Sequence, residues 1–293
     1  MPTRTGNFPI GFRRGWTDWQ RGEIATLATW ARETGFDALD VPIATPADVK
    51  TLAKMGLKMG PVDLLDLGDI MATDLAKRRD VLQKNLAYIK DLGAAGVKLF
   101  FSVVIPGDHA AKRADNYKLA IECYSPLAHA AHSVGGSIIL EGWPGGPPNY
   151  SSLCCTPETV RAILKDIPRG MALNYDPSHL IRLGVDHYRF LQEFISQVRH
   201  VHAKDTAVYP EAQYELGIYS GSSFQSGHGF GEHTWRYTIP GHGVARWPDI
   251  FALLKSTNYP GIVSVELEDE NFNGTEAGEK AALLHSLNYL RGA

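Results

Sequence analysis

The chain has 293 residues, 44% hydrophobic and 21% charged, the make-up of a soluble globular enzyme long enough for one α/β barrel or two smaller domains. Its formal net charge of −3 gives no electrostatic reason to expect nucleic acid or an anionic membrane as partner. No run of about 18 apolar residues offers a membrane span, the first ten residues lack the apolar core of a secretory leader, and three cysteines make no disulfide framework, so a cytoplasmic protein is expected.

Strand-like and helix-like segments alternate from end to end. Residues 8–12 read as a first strand, and 21–34 as a helix with Ile24, Leu27, Trp30 and Ala31 on one face and Gly35 as its stop. A second strand covers 36–42, and Thr45-Pro46 opens a capped helix. A short third strand covers 57–62, followed by a long helix over 74–92. The fourth strand, 97–104, is followed by a helix over 111–133. The fifth is Ser137-Ile-Ile-Leu-Glu141, with a helix starting at Thr156-Pro157. The sixth is Met171-Ala-Leu-Asn-Tyr-Asp176, followed by a helix near 185–197. The seventh is Val198-Arg-His-Val-His202, followed by a helix over 247–256. The eighth is Gly261-Ile-Val-Ser-Val-Glu266, with a last helix over 276–290. Eight such units predict one α/β domain over residues 1–293, a closed (β/α)8 TIM barrel.

Four of these runs end on Glu141, Asp176, His202 and Glu266. Three carboxylates and an imidazole suit a hard-to-borderline divalent cation, and parallel strands would carry all four to one rim, where barrel active sites lie. Two loops break the rhythm on that rim. One spans 142–155. The other, about 206–240, follows strand seven with many glycines and seven aromatics, and a lid or docking surface is expected of it.

These motifs resemble the xylose-isomerase-like barrels of the sugar (phosphate) isomerase/epimerase superfamily. They are Leu140-Glu141, Asp176-Pro-Ser-His179, His200-Val-His202-Ala-Lys204-Asp205, Pro240-Gly-His-Gly243 with Trp247, and Val265-Glu266. The resemblance implies one divalent ion, manganese foremost with magnesium, cobalt or zinc as alternatives, held by Glu141, Asp176, His202 and Glu266. It also implies a histidine, His179, beside metal or substrate. The expected reaction is sugar isomerisation or epimerisation. Glu141 and Glu266 would remove and return a proton next to a carbonyl, and the ion would stabilise the resulting enediolate.

Lys204, Trp143, His109, Arg13 and Trp16 join His179 as candidate contacts for a small carbohydrate substrate. Lys204 and Asp205 are expected to pair and orient His202. His200, alternating with His202, is expected on the opposite face, towards the helices. Glu268 would share the face of Glu266. Two departures from the hexulose epimerases favour a second reading: the long gap from His202 to Glu266, and Ala-Lys-Asp after His202. That reading is a lyase or deglycosidase acting by β-elimination on a 3-oxo-glycoside. The long rim loop would fit a homo-oligomer or a small accessory subunit. An endonuclease IV-type nuclease is a minor third reading, disfavoured by the charge and by the lack of histidine before residue 109.

Overall fold

The computed structural model describes residues 8–146 and 150–292. The first seven residues, part of the segment read for a leader, and residues 147–149 of the 142–155 loop lie outside the described residues. The strands are β1 (Ile10–Arg13), β2 (Ala38–Asp40), β3 (Lys58–Met59), β4 (Val62–Asp63), β5 (Leu99–Val103), β6 (Ser137–Glu141), β7 (Met171–Tyr175), β8 (Val198–Ala203), β9 (Asp205–Val208), β10 (Trp235–Thr238) and β11 (Val263–Val265). The helices are α1 (Asp18–Arg21), α2 (Ile24–Thr34), α3 (Pro46–Lys54), α4 (Leu75–Ala94), α5 (Arg113–Ser133), α6 (Pro157–Asp166), α7 (Pro177–Arg182), α8 (His187–Phe194), α9 (Pro210–Leu216), α10 (Trp247–Ser256) and α11 (Glu276–Gly292). None of the described helices is long and apolar enough to cross a membrane.

The described chain divides into two compact units, one of residues 40–175 and 197–200, the other of the residues up to 39, 176–196 and from 201 onward. In the first unit, β4, β5, β6 and β7 pair in parallel, with Val103 beside Glu141 and Leu140 beside Leu173. Side chains alternate across a strand, so Phe101, Val103, Ile139 and Ala172 share a buried apolar layer. Glu141 stands one step further along that same side of β6. The third expected strand is broken into β3 and β4 at Gly60-Pro61. Proline has no N–H to give the ladder, and a Cβ at Gly60 would strike the Asp40 carboxylate.

In the second unit, β1, β11 and β8 are parallel neighbours. Phe12 is level with Val265, and Val265 with Ala203. The next residue on each strand is therefore Arg13, Glu266 and Lys204, all at the C-terminal end of the sheet. Asp176 caps α7 by accepting from the Ser178 amide at 2.8 Å, with Pro177 at the first helical position. Asp-Pro-Ser is thus a helix start that the sequence reading passes over. The 206–240 excursion is not a bare loop. β9 and β10 form an antiparallel hairpin in which Thr206 opposes Tyr237 and Val208 opposes Trp235, and α9 leads into its tip.

Candidate metal centre

In the second unit, Asp176, His202 and Glu266 each present a ligand atom, all within 4.8 Å of one another. His202 Nδ1 lies 3.4 Å from Glu266 Oε2. Asp176 and His202 are buried, and the Glu266 side chain is 13% exposed, which leaves this donor set one open side. Two carboxylates and a neutral imidazole fit a divalent cation such as manganese, magnesium, cobalt or zinc.

Lys204, 1% exposed, reaches into the same group. Its Nζ lies 2.5 Å from Glu266, 2.8 Å from Glu268 and 3.4 Å from Asp176. On the other side, Arg13 Nε is 3.2 Å from Glu266 Oε1. Burial opposes the charge on Glu266, but Lys204, His202 and Arg13 outweigh it and hold the carboxyl well below the usual carboxylate range. Arg13, Trp16 and Glu266 also line a cavity of about 20 Å³, room for one water. Trp16 is half exposed and faces Phe230 of the excursion, ring centres 6.3 Å apart.

His179, on the first turn of α7, points Nε2 at Asp176 Oδ2 across 3.5 Å. Its Nδ1 bonds the Tyr237 hydroxyl at 2.7 Å, and Arg182 donates to that same hydroxyl at 2.7 Å. The Tyr237 ring also lies against the Lys204 ammonium, 4.5 Å from its centre. Burial pushes the Tyr237 phenol above its usual range. Tyr237, Arg182 and the Lys204–Glu268 pair are missing from the sequence-level site. Tyr237 comes from the excursion, 58 residues from His179, and no local spacing announces it.

Two expectations are corrected. Asp205 does not pair with Lys204. It accepts the amides of Thr206, Gly241 and Ala245 at 2.8, 3.1 and 2.8 Å and the Trp247 indole N–H at 3.2 Å, because successive side chains of an extended strand face opposite ways. Nor does His200 face away from His202. Residues two apart on a strand share a face, and His200 is fully buried with Nε2 2.9 Å from Asp40. It is a core histidine on the inner side, so the structural role expected for it has a different setting.

In the first unit, Glu141 is 3% exposed and accepts from Asn174 Nδ2 at 2.6 Å, as its strand register requires. Trp143 packs on the apolar layer of Phe101, Val103, Ile139 and Ala172. His109 is exposed and bonds Ser151 Oγ at 2.5 Å.

The chain belongs to the xylose isomerase-like TIM barrel family, whose model it matches over residues 6–292, and its fold is the TIM barrel. Among its relatives are the protein YfiH of Bacillus subtilis (strain 168), 30% identical over 56% of this chain and 50% of that protein, and the inosose dehydratase of Geobacillus thermodenitrificans (strain NG80-2), 27% identical over 53% and 48%. The chain thus spans about half the length of these relatives. Similar solved structures include the 3-keto-D-glucoside 4-epimerase YcjR of E. coli, with TM-score 0.67 and 16% identity over 97% of this chain and 99% of that one. The D-psicose 3-epimerase of Clostridium cellulolyticum H10 gives 0.68 and 14% over 97% and 98%.

Proposed function

We propose that this protein is a divalent-metal-dependent enzyme of keto-sugars that removes a proton from the carbon next to a carbonyl. The observation that carries this reading is the convergence of Asp176, His202 and Glu266, with Lys204 and His179 against them, at the ends of parallel strands. Glu141, at the end of β6, is proposed as the fourth ligand. The bound ion supplies Lewis-acid stabilisation of the charge that develops on the substrate's carbonyl oxygen. Glu266, held between Lys204 and Arg13, is a weak base and suits the role of ligand. Glu141, which accepts from the Asn174 amide at 2.6 Å, takes the role of proton acceptor. Protonation of the same carbon on its opposite face, by a second acid on that side, gives epimerisation, and return of the proton from Glu141 to the neighbouring carbon gives isomerisation.

A second reading is favoured by one observation in the site and one among the relatives. A buried ammonium, Lys204, stands where it can hydrogen-bond a departing oxygen, and several relatives are inosose dehydratases. Loss of a β-oxygen after the same proton abstraction would make the enzyme a dehydratase or lyase.

The test is a panel of ketohexoses, 3-oxo-glucosides and inososes incubated with protein and Mn²⁺ in D₂O. Metal-dependent deuterium uptake at the carbon next to the carbonyl supports the reading, and growth of enone absorbance selects elimination over epimerisation. No uptake with any member under Mn²⁺, Mg²⁺, Co²⁺ or Zn²⁺ overturns it.

A further inference from the structure

Tyr237 is 4% exposed, and its hydroxyl has two partners, His179 Nδ1 and Arg182 Nη1, each at 2.7 Å. A phenol carries one proton and two acceptor lone pairs. A guanidinium only donates, so it fills a lone pair and cannot take the phenol's proton. Burial removes water as an alternative acceptor, and a buried hydroxyl left without one costs about 1–3 kcal/mol. The phenol's proton therefore goes to His179 Nδ1. A neutral imidazole that accepts at Nδ1 carries its own proton on Nε2.

We propose that Tyr237 is a positioning residue that fixes His179 in the Nε2–H form. The side of the imidazole that faces Asp176 Oδ2 across 3.5 Å is then a hydrogen-bond donor, to that carboxylate or to a substrate oxygen beside it, and not a base. Three features make the arrangement firm. His179 is 1% exposed and its ring meets that of Tyr237 edge-on, centroids 5.3 Å apart. Arg182, one turn on from His179 along α7, lies 4.5 Å over the Trp235 ring, which holds the guanidinium against the phenol. Trp235 and Tyr237 both belong to β10, so the excursion delivers both rings to the histidine and arginine of α7. The role of His179 towards substrate rests on the reading of this rim as an active site, whereas its protonation pattern does not.

The test is ¹⁵N NMR of the histidine rings in magnesium-loaded protein, with His179 assigned from a His179→Gln variant. The expected pattern has a pyridine-like Nδ1 and a pyrrole-like Nε2. In Tyr237→Phe, which keeps the ring packing, that pattern should collapse towards a mixture, with magnesium content unchanged. On whichever substrate takes up deuterium, kcat should fall about 10- to 100-fold with little change in KM. A pyrrole-like Nδ1 in the unaltered protein, or an unchanged pattern in Tyr237→Phe, overturns the proposal whether or not a substrate has been found. The expected nitrogen pattern with no turnover on any substrate would count against the proposed function alone.

Discussion

At the scale of single residues, the centre is a competition between cations. Lys204 and Arg13 already neutralise Glu266, and Lys204 reaches Asp176. An incoming divalent ion must displace or share these contacts. Lys204→Met, which keeps the stem and removes the charge, should therefore tighten Mn²⁺ binding about tenfold or more by calorimetry while turnover collapses. Weaker binding in that variant would mean that the lysine organises the ligands. Metal analysis of Glu141→Gln and His202→Ala should show loss of bound ion in both. Glu279, which lines the same small cavity as Arg13 and Glu266, offers a test of stability. Burial opposes its charge, but Thr17, Gln20, Gly274 and Trp19 donate to it and hold its carboxyl below the ordinary value. A depressed carboxylate stabilises the fold above its unfolded pKa, and that contribution fades as pH falls through the lower folded value. Denaturant titrations should show stability falling over that acidic window, with a shallower fall in Glu279→Gln.

At the scale of elements, the four proposed ligands stand out in the sequence because each follows or ends a short apolar run of strand length. The helix after Asp176 was equally available from its cap and proline. What escaped is what depends on pairing across long separations. Tyr237 reaches His179 only through the β9–β10 register, and Lys204 meets Glu268 only because β8 and β11 are neighbours. The His200 assignment failed on counting alone, since alternate residues share a face. Asp205 is the knot of the excursion, because its carboxylate gathers three amides and an indole from both ends of the inserted segment. Asp205→Ala would strand these donors and should cost about 3 kcal/mol or more in chemical denaturation. Asp205→Asn, which keeps one acceptor oxygen, should cost less.

At the scale of the whole molecule, a ligand that binds only the folded chain stabilises it by mass action. Mn²⁺ at a hundred times its dissociation constant should add about 2.7 kcal/mol, and a chelator should remove that increment. Melting curves with and without chelator measure it, and Asp176→Asn should melt alike in both. The hairpin has a consequence for how such a chain can change over generations. Beyond Val208 and Trp235, the excursion carries exposed Tyr214, Ile218, Tyr219 and Phe224. Residues gained or lost there leave the pairing of Thr206 with Tyr237 intact. One residue gained within β10 would turn Tyr237 outward and bring a neighbour in its place. Length is thus free to drift at the tip and frozen at the base, so new specificities can be sampled by the tip without unmaking the chemistry below it.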